Sequence, residues 1–117
     1  MAMNKFFTIL IIFFGEALAI LAEIIAAKYF ALHDAKFANV FFKALPIIII
    51  GSVLLLCGYM LGFRSFKNIW IVSAISITSI LILEPIINYT ITHQLPNRGA
   101  VIGLIFGVMG FIAALFL

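Results

Sequence analysis

Charge is what this sequence has least of. Only 9% of its 117 residues are Asp, Glu, Lys or Arg, against roughly 25% in ordinary soluble domains. Too few polar side chains exist to cover a globule in water. A soluble enzyme or binding module is therefore excluded, and the lipid bilayer becomes the expected solvent. Cysteine is almost as scarce. Cys57 stands alone, so no internal disulfide can form, and it reads as a small packed hydrophobe. The two histidines, His33 and His93, lie far apart and remote from Cys57, which gives no metal-ligand spacing. There is no strand pattern, no glycine-rich phosphate loop and no nucleophile–base pair. The expectation is no catalytic residue, no enzyme activity, no cofactor and no metal. The formal charge of +3 sits mostly in connecting segments. It carries topology information and is not a nucleic-acid footprint.

What the chain has is apolar length. Hydrophobic residues make up 67% of it, and a spanning helix needs about 20 mostly apolar residues. Four segments qualify: Phe6–Phe30, Ala44–Phe63, Asn68–Thr92 and Gly99–Leu117. Short connections make successive helices antiparallel neighbours. The predicted fold is an all-α membrane protein, a single domain over residues 1–117 with four transmembrane helices in antiparallel hairpins. The segment Phe30 to Lys43 mixes charges with aromatics and is expected at the interface as a short amphipathic turn. Lys5 followed by an apolar run, with Ala17-Leu18-Ala19 as a cleavage site, has the ingredients of a signal peptide. Glu16 at that point, and an apolar run continuing to Phe30, favour a retained helix. Trp70, Tyr29 and Tyr89 fall near span ends and read as interfacial anchors.

The basic residues hardly choose an orientation. Lys5, Arg64 and Lys67 fall on one side, against Lys36, Lys43, Arg98 and, if it reaches outward, Lys28 on the other. The positive-inside bias is close to balanced. Such a chain inserts both ways or has its orientation fixed by a partner.

Acids inside spans are the candidates for function, since an ionisable group at the centre of a membrane helix costs roughly 2.5–3.5 kcal/mol on insertion scales. They are Glu16, Glu23 and Glu84. Glu16 and Glu23 share a face of the first helix, about 10 Å apart along its axis. An apolar medium favours the neutral form of a carboxyl group, so a proton and a cation can compete for such a site. The alternative role for each is a structural hydrogen bond, or pairing with Lys28.

The stretch from Glu84 to Gly110 organises the rest. Glu84-Pro85 puts an acid beside a proline, which removes the hydrogen bond to the Leu81 carbonyl and suggests a broken helix. A freed carbonyl next to a carboxylate makes a polar spot for a cavity or a cation. Asn88 follows one turn later on the same side. Ser73, Ser76, Thr78 and Ser79 lie upstream, so this helix is the candidate pathway lining, with Ser73, Ser76 and Asn88 as its members. Serines also serve membrane helices as packing residues. After a polar hinge from His93 to Arg98, Gly99, Gly103, Gly107 and Gly110 form a stripe suited to close helix contact, with a dimer favoured. Gly51, Gly58 and Gly62 in the second helix, and Gly15, Ala19, Ala22 and Ala26 in the first, form similar stripes.

Taken together, these residues resemble the small multidrug resistance proteins of the drug/metabolite transporter superfamily. Leu21-Ala22-Glu23-Ile24-Ile25 is similar to that family's Ala-Glu motif, and Leu95-Pro96 through Ile102-Gly103 to Gly110 resembles its last hairpin. The resemblance covers the layout and is specific at the first and last helices. It implies a multi-pass protein of a prokaryotic inner membrane, acting as a dimer, commonly antiparallel. It also implies that Glu23 binds proton and substrate in turn. The family's aromatic third-helix motif is replaced here by Ser73, Ala74, Ile75 and Ser76, Glu84 is an added acid, and the first loop is longer. Cation–aromatic contacts hold hydrophobic cations in such sites, so their replacement removes the basis for polyaromatic drug export. The expected function is proton-linked export or flipping of a small amphipathic or lipid-like substrate. The alternative is a non-transporting subunit or assembly factor of a larger membrane complex.

Overall fold

A computed structural model describes residues 2–32 and 34–117, without the side chains of residues 2–4 and 115. His33 lies outside the described residues. Four helices account for nearly all of the rest: α1 (Ala2–Phe30), α2 (Phe37–Phe66), α3 (Ile69–Thr92) and α4 (Arg98–Phe116). Among the described residues there is no strand. The first three helices are each long and apolar enough to cross a membrane, and α4 is a shorter apolar helix.

Local chemistry sets the ends. Asn68 caps α3 by accepting the Trp70 amide at 2.9 Å, and Asn97 caps α4 by accepting the Ala100 amide at 2.8 Å. Each side chain satisfies one of the amides that a helix start leaves open. Lys67 and His93 close α2 and α3 in the left-handed region, with φ of 56° and 57°. Their amides return to the carbonyls of Phe63 and Tyr89.

Two elements differ from expectation. The second helix starts at Phe37 rather than at Ala44, so half of the presumed interfacial turn is its first two turns. Aromatic packing supports them: Phe37 stacks on Phe41 with centroids 5.6 Å apart, and Phe30 meets the edge of Phe37. At about 1.5 Å per residue α2 exceeds the roughly 30 Å hydrocarbon layer, so part of it must stand in the headgroup region. The third helix is also unbroken, running through Pro85 to Thr92. Proline deletes one backbone hydrogen bond, and the bonds on either side are enough to carry a membrane helix past it.

Packing centres on α1, which lies against α2 and α3, while among the described residues α4 touches only α3. Contacts descend α1 as they climb α2: Gly51 meets Gly15, Gly58 meets Ile12 and Gly62 meets Thr8. Along α1 and α3 they climb together, from Glu16 with Ser76 to Lys28 with Ile91. The buried centre comprises Ile12, Ala22 and Val72, all at 0% exposure, with Thr8, Ile20, Ser76 and Ser79 around them. The outer surface is hydrocarbon, with Phe7, Phe14, Val53, Leu56, Met60 and Ile82 among its exposed side chains. Such a surface is consistent with contact with lipid.

Candidate functional site

Glu16 falls halfway along α1 and is only 8% exposed. It is enclosed because α2 approaches closely over Gly15 and Gly51 while α3 lies on the other side. Ser76, itself 5% exposed, donates its hydroxyl hydrogen to Glu16 Oε1 at 2.5 Å. Four other hydroxyls of α3 turn back on their own helix. Thr78 donates to the Ala74 carbonyl, Ser79 to Ile75, Thr90 to Ile86 and Thr92 to Asn88. Ser76 alone reaches across, because it stands on the side of α3 that faces α1. Ser73, half-buried, makes no side-chain hydrogen bond among the described residues.

Glu23 and Glu84 are exposed and form no hydrogen bond or ion pair among the described residues. Glu23 is flanked by buried Ala22 and Ile24, so the two acids on one face of α1 have opposite surroundings. Lys28 joins neither of them. Its ammonium donates to the Ile91 carbonyl at 2.8 Å and ties the end of α1 to the end of α3.

Glu84 opens into a groove of about 610 Å³ between α3 and α4. Asn88, Thr92, Gln94 and Asn97 give it a polar end, and Ile80, Leu81, Pro85 and Leu104 an apolar one. Two features keep it open. Gly103 presents no side chain and has nothing within 4 Å, and the approach of α4 to α3 is made lower down, where Gly107 meets Leu81. Pro85 frees the carbonyl of Leu81, another groove residue. Glu84 and Asn88 thus stand together, as their spacing predicts.

The sequence-based candidates accordingly fall into two places. Ser76 belongs with Glu16 on the α1 side of α3, whereas Asn88 belongs with Glu84 on the α4 side, so one lining does not include both. The glycine stripes divide in a similar way. Gly51, Gly58 and Gly62 are buried within the chain, whereas Gly103 and Gly110 meet nothing within 4 Å and Gly99 meets only its own cap, Asn97. Thr8, 1% exposed, is a further buried polar residue that sequence reasoning passed over. It lies two turns before Glu16, and that spacing was the available signal. Among the described residues no three of His, Cys, Asp and Glu gather as metal ligands. Comparison with protein-family models, with curated proteins and with solved structures finds no match to this chain.

Proposed function

We propose that this chain is a small membrane transporter of the drug/metabolite type, resembling the small multidrug resistance proteins. In this reading its four helices cross a prokaryotic inner membrane as antiparallel hairpins. It exchanges protons at Glu16 and moves a small amphipathic or lipid-like substrate, with the α3–α4 groove as the way past Glu84 and Asn88.

The observation that carries the reading is the enclosed Glu16 carboxyl group with the Ser76 hydroxyl against it. A serine hydroxyl donates to a carboxylate and, after rotation, accepts from a carboxylic acid. The pair stays hydrogen-bonded in both protonation states, so neither loading nor release of a proton strands a buried polar group. Glu84 is suited to a different task. An acid in an open groove with one polar and one apolar end suits a molecule with a polar head and a greasy body.

Glu23 supports action as a dimer. A carboxyl group exposed on a spanning helix is costly against lipid, and a second copy would cover it. The resemblance gives that residue the same exchange role, now in a chamber between two copies. The open faces of Gly103 and Gly110 suit a helix from another chain as well. That last observation also favours the second reading, a non-transporting subunit of a larger complex.

The test uses protein reconstituted in liposomes under an imposed pH gradient, with dodecylammonium and fluorophore-labelled phosphatidylethanolamine as probes. Gradient-driven movement of a probe that Glu16→Gln abolishes supports the transporter. The infrared carbonyl band of Glu16 supplies a readout independent of substrate, since a proton-exchanging Glu16 titrates reversibly in the membrane and Glu16→Gln removes the band. A band that never responds to pH overturns the mechanism. Native mass measured with lipids and partners retained separates a dimer from a subunit of something larger.

A further inference from the structure

A second groove, of about 550 Å³, lies where the end of α1 meets the start of α2, away from both Glu16 and the α3–α4 groove. Its floor is apolar, and Ala26 on α1 keeps it wide by being small. Its mouth carries Lys36, Asn39 and Lys43. Asn39 and Lys43, four residues apart at the head of α2, share one helix face, and Lys36 is the extended cap residue just before it. Both lysines line the same opening, and side chains of their length can reach a group placed between them. Neither ammonium group has a hydrogen-bond or ion-pair partner among the described residues. The acid on the rim, Asp34, is likewise unpaired among them and leaves a net positive mouth.

We propose that this groove holds an anionic glycerophospholipid of the surrounding bilayer, with its phosphate between Lys36 and Lys43 and an acyl chain along Ile25 and Ala26. Three observations make the occupant a lipid. The groove is polar at the mouth and apolar in depth, the layering of a phospholipid. The mouth stands at an end of α2, a helix longer than the hydrocarbon layer is thick, which suits headgroup level. Tyr29 lines the same opening, and an amphipathic ring of this kind belongs at that level. The sign of the headgroup follows from two unpaired ammonium groups against one carboxylate. Asn39 adds an amide donor for a phosphate or glycerol oxygen. The inference needs only that the helices are embedded in a membrane, so it stands or falls independently of transport.

The experiment titrates purified full-length protein with phosphatidylglycerol and, separately, phosphatidylcholine of identical chains, reading retained lipid by native mass. Phosphatidylglycerol is expected to remain bound where phosphatidylcholine is lost. Lys36→Gln combined with Lys43→Gln should weaken its retention roughly thirtyfold, about fivefold for each lysine. Lys5→Gln combined with Arg64→Gln, at the other end of the molecule, should leave it unchanged. Asp34→Asn keeps both lysines and should tighten retention, which guards against a double variant that fails to fold. Equal retention of the two lipids overturns the proposal. So does equal loss from the two double variants, or an Asp34→Asn protein that holds phosphatidylglycerol no more tightly.

Discussion

Gly51 packs on Gly15 backbone to backbone. A methyl group built on Gly51 would stand 3.0 Å from the Gly15 carbonyl oxygen, and one built on Gly15 would stand 3.1 Å from the carbonyl oxygen of Gly51. Backbone cannot swing aside as a side chain can. Gly51→Ala should therefore lose about 1–3 kcal/mol to overpacking, offset in part by a gain in helix propensity of roughly 0.8–1 kcal/mol. A net fall in thermal stability in detergent is expected. Gly110→Ala, with nothing within 4 Å, should be neutral or slightly stabilising in the same measurement.

Stability and proton exchange separate at Glu16. Ser76→Ala leaves a buried carboxyl oxygen without its donor and should cost about 1–3 kcal/mol. Glu16→Gln keeps an amide oxygen that can accept from Ser76, so it should melt close to the parent while losing any pH-driven flux. Melting curves paired with flux in liposomes check both. A Glu16→Gln protein that melts far below Ser76→Ala would show the carboxyl group acting through packing instead.

The open stripe on α4 predicts a split between folding and association. Gly103→Ile adds bulk where the chain itself has no neighbour. Fold stability should change by less than about 0.5 kcal/mol, the usual bound for surface substitutions, while the native mass should shift toward the single chain. An unchanged native mass would mean that association uses another face.

Left-handed caps offer a stabilising change. Lys67 has φ 56° as a non-glycine residue, a region that costs an L-residue roughly 1–2 kcal/mol and glycine little. Lys67→Gly should gain about 0.5–1 kcal/mol in thermal unfolding after glycine's greater freedom in the unfolded chain is subtracted.

Orientation can be read directly. Lys5 lies 5.5 Å from the ring centroid of Phe66, which gathers Lys5, Arg64 and Lys67 at one end. Lys28, Lys36, Lys43 and Arg98 are the remaining basic residues. A C-terminal reporter of membrane side should score on both sides, and two lysines added near Lys5 should drive it to one. A single orientation in the parent chain would point to a partner that fixes it.

The apolar runs disclosed the helices because a run of about 20 residues is the strongest signal a sequence holds. The start of α2 was hidden, since Lys43 interrupts hydropathy without interrupting the helix. The partner of Glu16 was equally hidden. Ser73, Ser76, Thr78 and Ser79 sit in a helix that is apolar on every side, so no amphipathic phase marks which of them faces inward. Glu16 and Glu23 share a face by spacing, yet one is buried and the other is not, because neighbouring helices and not periodicity decide burial. By sequence alone, Lys28 is a candidate partner for a glutamate. It binds instead the Ile91 carbonyl, one of the acceptors that the last turn of a helix leaves unsatisfied.

The one-sided seat of α4 divides the molecule's labour. The first three helices pack on one another, whereas the fourth rests on a single neighbour among the described residues. Substitutions on the outer side of α4 should therefore disturb the three-helix core less than substitutions along α1, which packs on both α2 and α3.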